Sequence, residues 1–328
     1  MIEVKDLSKH FKIRKRQSGF LGSVQSLFHS EYETIKAVEA VSFGIKEGEL
    51  VGYIGQNGAG KSTTIKMLTG ILTPSSGQIR INGLDPALDR KKNARQIGVV
   101  FGQRTQLWWD LPVEESFDLL KEIYRIDDKI YRQKMEMFFD LLKINEFMKQ
   151  QARKLSLGQR MKADLAASLI HSPKILFLDE PTIGLDLIVK EKVREFIRTI
   201  NREDKVTIIL TTHDVQDIEY LAGRIIVLDK GKIAYDGNID NFNNMLGNET
   251  VVNVHFGREI PELALPGKFR IKERYSDSHY SIILPEKEPL SILLQEFQNR
   301  DLPILEINQQ KPDLGVAIKK LYREETVQ

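Results

Sequence analysis

Residues Gly55 to Thr63 read GQNGAGKST, a glycine, four residues and then Gly-Lys-Ser, which is the spacing that wraps phosphate oxygens. In Gln56, Asn57, Gly58, Ala59, Gly60, Lys61, Ser62 and Thr63 the glycines let backbone N–H groups approach β- and γ-phosphates without a Cβ in the way. Lys61 brings a point charge to the γ-phosphate, and the Ser62 hydroxyl suits Mg²⁺. A second piece of the same chemistry is ILFLDE, an apolar strand from Ile175 to Leu178 that ends in Asp179 and Glu180. Asp179 there can hold the metal through water, and Glu180 can polarise a water that attacks the γ-phosphate. On its own, Glu180 also reads as a helix-start acid or a salt-bridge partner. A third piece, KLSLGQRMKADL, sets Ser156 and Gly158 just ahead of a helical run in which Met161, Leu165 and Leu169 recur every fourth residue. A helix start with a hydroxyl and a bare glycine N–H is an anion site, although a plain serine N-cap explains the same residues. Of six histidines, only His213 ends an apolar strand beside a threonine pair.

Positioning these groups calls for strands that end where the chemistry begins. ELVGYIG (Glu49 to Gly55), IGVVFG (Ile97 to Gly102), KILFLDEP (Lys174 to Pro181), VTIILTTH (Val206 to His213) and RIIVLDKG (Arg224 to Gly231) are apolar runs suited to a sheet covered on both faces. Helical segments lie between them, so the first two-thirds is expected to be a layered α/β domain, with a helix from Lys61 to about Leu72. From Gln103 to Ser168 the period becomes helical: Phe117, Leu120, Ile123 and Tyr124, then Met137, Phe138, Leu141 and Leu142. The stretch Ile13 to Lys36 interrupts neighbouring N-terminal strands and carries Phe20, Leu21, Val24, Leu27 and Phe28 at helical spacing. It reads either as a surface helix on the core or as a helix that meets a membrane or permease. The asparagine-rich Gly237 to Thr250 reads as a junction, and Val251 onward as short strands around a helix near Pro289 to Asn299. A further helix is expected around DLGVAIKKLYREE.

The bulk numbers narrow the class. At 328 residues about two domains are expected; 41% hydrophobic and 29% charged residues are ordinary for a globular chain. A net charge of +2 gives no argument for nucleic acid. The absence of cysteine excludes disulfides, zinc–thiolate sites and a cysteine nucleophile. No run has signal-peptide length, and none approaches the roughly 20 apolar residues that cross a bilayer. A cytoplasmic chain is expected, one that needs a partner to supply any spanning helices.

Taken in order, these motifs resemble the nucleotide-binding domain of ATP-binding-cassette (ABC) ATPases over about Ile2 to Asn238. Besides the cradle, VVFGQ ends in Gln103 like the Q-loop, LSLGQ (Leu155 to Gln159) resembles the signature LSGGQ, and LDEPTIGLD holds the acidic pair and, at Asp186, the D-loop aspartate. TTHD places His213 like the switch histidine, and TPSSGQIRINGLD (Thr73 to Asp85) also matches. The resemblance implies a P-loop NTPase core at 1–240 with a mixed or parallel sheet and a helical subdomain at about 104–168, followed by a small α+β domain at 249–328. It implies ATP and Mg²⁺ as ligands, with Ser62, Gln103 and Asp179 around the metal and Glu180, His213 and Gln103 in catalysis. It further implies head-to-tail pairing with a second ABC subunit, taken as an identical copy. Ser156 and the Gly158 N–H of each copy then hydrogen-bond the γ-phosphate in the other copy's cradle, and Gln159 and Asp186 are further nucleotide-binding residues. An aromatic stacks on adenine in this family; Phe11 stands at the matching place, with Phe20 and Tyr32 as rivals and a core role for Phe11 as the alternative. Leu157 departs from the pattern, standing where the first signature glycine is expected.

The function implied is an ATP-hydrolysing subunit that powers a separate transmembrane permease from the inner face of the membrane. The single cassette, the signature variant, the stretch FGQRTQLWWDLPV and the additional C-terminal domain resemble the ABC-2 exporter branch that includes daunorubicin-resistance-like subunits. An ABC ATPase that gates a membrane partner without moving a solute is the alternative. Trp108 and Trp109 cannot both point easily into one core, so at least one of them is expected at the surface, with packing of the helical subdomain by both as the alternative.

Overall fold

The computed structural model describes residues 1–14, 32–102, 104–245, 250–285, 288–310 and 313–324. The central part of the Ile13–Lys36 stretch, with Phe20, lies outside the described residues, and so does Gln103. The chain divides into two compact units, Met1–Gly237 and Asn238–Gln328.

In the first unit, β1 (Ile2–Arg14), β2 (Tyr32–Ile45) and β4 (Ser76–Ile81) form an antiparallel sheet in the order β2-β1-β4. The ends of the stretch expected to be helical belong to this ribbon, with Ile13 opposite Glu33 and Arg14 opposite Tyr32. A second, six-stranded sheet contains β3 (Leu50–Gly55), β5 (Ile97–Phe101), β6 (Ile175–Asp179), β7 (Thr207–Thr211), β8 (Arg224–Asp229) and β9 (Lys232–Asn238). Its order is β5-β6-β7-β3-β8-β9, and the β5–β6, β6–β7, β7–β3 and β3–β8 pairs are parallel. Ile175, Leu176, Phe177 and Leu178 are all fully buried, as a strand covered on both faces must be. The register fixes the working edge: Phe101, Asp179 and Thr211 stand level at the ends of β5, β6 and β7. Whatever follows those three strands therefore emerges side by side, at the carboxyl edge where parallel sheets bind ligands.

Helix α1 (Lys61–Leu68) follows the cradle. It stops short of Leu72 because Thr69 takes the C-cap, donating its hydroxyl to the Ile65 carbonyl at 2.9 Å, and Gly70 turns left-handed with φ 76°. After α2 (Arg90–Ala94) come α3 (Val113–Tyr124), α4 (Asp128–Leu142) and α5 (Leu157–Leu169), with short 3₁₀ turns at Ile144–Phe147 and Ala152–Lys154. Phe117, Phe138, Leu142 and Leu165 are fully buried among them, whereas Ile123 and Leu141 face outward. α6 (Leu187–Glu203) and α7 (Val215–Leu221) complete the unit.

The second unit contains α8 (Ile239–Met245), β10 (Thr250–Phe256), β11 (Arg270–Arg274), β12 (His279–Leu284), α9 (Leu290–Asn299), β13 (Ile304–Gln310) and α10 (Leu314–Glu324). Its antiparallel sheet runs β11-β12-β10-β13. Val252, Val254 and Phe256 of β10 pack with Tyr280 and Ile282 of β12 against Leu293 and Phe297 of α9. Thus α8 begins inside the stretch read as a junction, and β11 is a strand that the sequence pattern does not mark.

Candidate functional site

The cradle is a loop pinned between β3 and α1. Gly60 is the N-cap of α1 with φ 105°, and a Cβ there would lie 2.4 Å from the Ala37 carbonyl oxygen, so only glycine fits. No side chain caps the helix. Thr64 is the first residue to bond back, to the Gly60 carbonyl at 2.9 Å, which leaves the N–H groups of Lys61, Ser62 and Thr63 without intrahelical acceptors. Three amides and a helix dipole converging on one point suit an anion. Gln56, Asn57 and Gly58 form an exposed rim, while Ala59 is buried beneath it. Lys61 is only 7% exposed, and its ammonium donates to the carbonyls of Gly55 at 2.7 Å and Gln56 at 3.1 Å. Burial lowers the Lys61 pKa, and attraction to Glu180 and Asp179 partly restores it.

The strand ends bring the acidic groups to the same place. Asp179 Oδ1 accepts from the Ser62 hydroxyl at 3.2 Å and from the Thr211 hydroxyl at 2.5 Å. Glu180 ends β6 because its backbone turns left-handed, φ 59°, while its N–H holds the Thr211 carbonyl at 2.9 Å. A non-glycine residue held in that region stores strain, and it redirects the side chain off the strand axis. Glu180 Oε2 lies 2.5 Å from His213 Nδ1, and the imidazole is 60% exposed. Gly102 closes in from β5: its N–H donates to the Asp179 carbonyl at 2.8 Å, and a Cβ would meet the Glu180 carbonyl oxygen at 2.4 Å. Asn57, Ser62, Gly102, Asp179, Glu180 and His213 line one cavity of about 660 Å³.

Among the described residues no group of three or more His, Cys, Asp or Glu side chains could hold a metal by itself. The pair that is present, a serine hydroxyl beside a strand-end carboxylate, fits Mg²⁺, which takes few protein oxygens and fills its shell with water and phosphate. The donor set therefore fits a magnesium–triphosphate ligand.

Ser156, Gly158, Gln159, Asp186 and Phe11, also singled out from the sequence, lie on other elements and are not among the residues that line this cavity. Ser156 is the N-cap of α5 in a full capping box: its Oγ accepts from the Gln159 N–H at 3.2 Å, and Gln159 Oε1 accepts from the Ser156 N–H at 3.0 Å. The Ser156 hydroxyl proton remains free to donate while the oxygen caps. A Cβ on Gly158 would stand 3.2 Å from Val189 Cγ1, and one on Gly184 would stand 2.9 Å from Leu157 Cδ2, so the start of α5 packs closely on the first turn of α6 and on the loop that leads to it. Asp186 is the N-cap of α6 and accepts from the Val189 N–H at 2.9 Å. Phe11 is 37% exposed on β1 opposite Ile35, and Tyr32 is 63% exposed.

Sequence reasoning missed the groups that support the strand-end loops. Asp217 on α7 is fully buried and accepts from Arg194 Nε on α6 at 2.6 Å, from the Thr212 hydroxyl at 3.1 Å and from the Thr182 hydroxyl. Asp214, the N-cap of α7, meets Lys190 at 2.6 Å and Arg194 at 3.5 Å. Burial pushes the Asp214 carboxyl up, but the Lys190 hydrogen bond and charge hold it below the usual range. Thr182 follows Glu180 by two residues, and Thr212 and Asp214 flank His213, so this cluster fixes the loop after β6 to the loop after β7. The available signal was Arg194, a charge among the buried Val193, Phe196, Ile197 and Ile200 of α6.

Comparison with known proteins agrees with this geometry. The ABC transporter family matches residues 38–183. The ABC transporter ATP-binding protein NatA of Bacillus subtilis (strain 168) is 32% identical over 214 residues, 65% of this chain and 87% of that protein. The linearmycin resistance ATP-binding protein LnrL of the same organism is 30% identical over 217 residues, 66% of this chain and 69% of its own length. Among solved structures, the dimeric post-hydrolysis state of the ATP-binding cassette MJ0796 bound to ADP and Pi superposes with a TM-score of 0.60 at 27% identity, over 73% of this chain and 98% of that one. The chain thus belongs to the ABC transporter ATP-binding proteins and is an ATPase of that family.

Proposed function

We propose that two copies of this chain pair head to tail around two ATP molecules and that the resulting cycle drives a membrane exporter of the ABC-2 type. One observation carries this reading: cradle, metal-binding pair and Glu180–His213 pair converge on one cavity, while the Ser156 hydroxyl and the Gly158 N–H sit on a separate helix start outside it. A second copy supplies that missing wall, with Gln159 in the capping box of α5 and Asp186 at the N-cap of α6 as further nucleotide-binding residues.

In each site the amides of Lys61, Ser62 and Thr63 and the Lys61 ammonium bind the phosphates, and Phe11 stacks on the adenine. Ser62 and Asp179, with Gln103, would hold Mg²⁺, which would supply charge neutralisation on the phosphates. Glu180 accepts a proton from the attacking water as its oxygen bonds to the γ-phosphorus. The bond from that phosphorus to the bridging oxygen breaks, and His213 holds the carboxylate in place. Loss of the γ-phosphate then removes the acceptor that Ser156 of the opposite copy binds, and the dimer opens. Export through separate permease subunits, on the inner face of the membrane, is supported by the resemblance of FGQRTQLWWDLPV to that branch and by the similarity to a resistance protein.

Sedimentation with MgATP tests the pairing. The Glu180→Gln chain is expected as a stable dimer and the Lys61→Ala chain as a monomer; a Glu180→Gln chain that stays monomeric at saturating ATP refutes it. ATP-dependent movement of solute out of cells carrying the partner permease tests direction, and uptake instead of efflux would overturn the exporter assignment.

A further inference from the structure

The loop that leaves the cavity runs directly to the tandem tryptophans. Phe101, Gly102 and Arg104 line the cavity, and Thr105 and Gln106 come next. Both of these are fastened to one side chain in the middle of α5. Asp164, 4% exposed, accepts on Oδ1 from the Thr105 hydroxyl at 2.8 Å and from the Gln106 N–H at 3.0 Å. Gln106 Nε2 returns to the Asp164 carbonyl at 2.8 Å, and Thr105 Oγ1 accepts from the Leu107 N–H at 3.1 Å. Leu107 is buried, and Trp108 and Trp109 follow at 38% and 50% exposure. One helical turn before Asp164, Arg160 lies over the Trp109 ring at 5.8 Å. The downstream half of the loop is held separately: the Arg153 N–H donates to the Trp109 carbonyl and the Ala152 N–H to the Leu111 carbonyl, each at 3.0 Å.

A carboxylate on the buried face of a helix normally raises the energy of the fold, and here it is retained where it meets two donors from one loop. We infer that Asp164 is a positioning residue that pins the loop leaving the nucleotide cavity to the signature helix, so that ATP engagement is transmitted to the Trp108–Trp109 surface. The inference rests on the ATPase reading above and adds to it a named route. Displacement of Phe101–Arg104 by the bound nucleotide passes through Thr105 and Gln106 to the tryptophans because Asp164 prevents the loop from absorbing it. Ser156 is the N-cap of the same helix.

The chain carries its own reporter, since its two tryptophans are Trp108 and Trp109. Full-length Glu180→Gln protein is titrated with MgATP while tryptophan emission is followed, and ATP affinity is measured in parallel by displacement of a fluorescent nucleotide. An ATP-dependent emission change is expected. It is expected to be lost in Asp164→Ala and in Thr105→Val with ATP still bound, and to return in Asp164→Asn, which keeps an acceptor oxygen. Thr105→Val tests the same pin from the loop side, without altering α5. An unchanged emission response in both Asp164→Ala and Thr105→Val overturns the inference, as does an Asp164→Asn chain that behaves like Asp164→Ala. ATP binding by the parent protein with no emission change overturns it while leaving the ATPase reading intact. Failure of the parent to bind ATP overturns both.

Discussion

Replacing Arg194 by methionine isolates the buried cluster behind Glu180 and His213. Asp217 is fully buried and, among the described residues, takes its charged partner from Arg194 Nε at 2.6 Å; the hydroxyls of Thr182 and Thr212 also donate to it. Removing one member of a buried ion pair costs about 3–5 kcal/mol, because the carboxylate left behind is uncompensated. Two hydroxyl donors remain, so the lower end, about 3 kcal/mol, is expected. For a unit of this size each kcal/mol lowers the melting temperature by about 2–4 °C, giving a fall of roughly 6–12 °C. Urea unfolding followed by tryptophan emission reads this unit selectively, since both tryptophans belong to Met1–Gly237. The double variant Arg194→Met with Asp217→Leu removes both charges and is expected to recover most of the loss, a coupling on the order of 2 kcal/mol. ATPase activity should not recover with stability, because Thr212, beside His213, has then lost its acceptor. An Arg194→Met chain within about 1 kcal/mol of wild type, or an additive cycle, would refute the reasoning.

Burial pushes the Asp164 pKa from 3.8 up to about 6, opposed by the hydrogen bonds from Gln106 and Thr105. The folded chain then favours the protonated acid. The stability this gives is fully present below 3.8 and is lost as pH rises through about 6, a change on the order of 3 kcal/mol. Asp164→Asn, which cannot ionise, should gain on wild type by that order between pH 4 and pH 8; a pH-independent difference in chemical denaturation would contradict this. Ser156→Asp should keep the cap, and hence stability within about 0.5 kcal/mol, yet abolish ATP-driven dimerisation because a carboxylate cannot donate to phosphate; Ser156→Ala should lose about 1 kcal/mol as well. Gly60→Ala should destabilise by on the order of 2–4 kcal/mol by forcing Cβ onto the Ala37 carbonyl, and near-native urea stability would show that the loop relaxes freely.

The parts of the site that were legible are those whose chemistry is local. The Gly-Lys-Ser spacing is a requirement of the backbone itself, and Gly60 with φ 105° meets it. The strands β3, β6, β7 and β8 announce themselves as short runs buried on both faces, and Asp179 and His213 follow from where those runs end. The Ser156 N-cap is equally local. Contacts between distant segments leave no such trace. Asp164 sits in a helical run like any surface acid until Thr105 and Gln106 are folded onto it, and Asp217 needs Arg194 from another helix. β11 was missed because all five of its residues are exposed, so Arg-Ile-Lys-Glu-Arg shows no alternation. Ile123 and Leu141 kept the helical period yet face outward, since periodicity marks a stripe without fixing its width.

The notch that Gly184 offers to Leu157 bears on how this chain can drift over generations. Gly184 has φ 70°, a conformation in which asparagine or aspartate often substitutes for glycine, but any side chain there would stand 2.9 Å from the Leu157 methyl. That methyl is the far end of a flexible, half-buried side chain, so such a replacement is met by a turn of the leucine and not by a backbone wall. A change at 184 is therefore expected to shift the rotamer of the signature leucine, with no need for position 157 to change first.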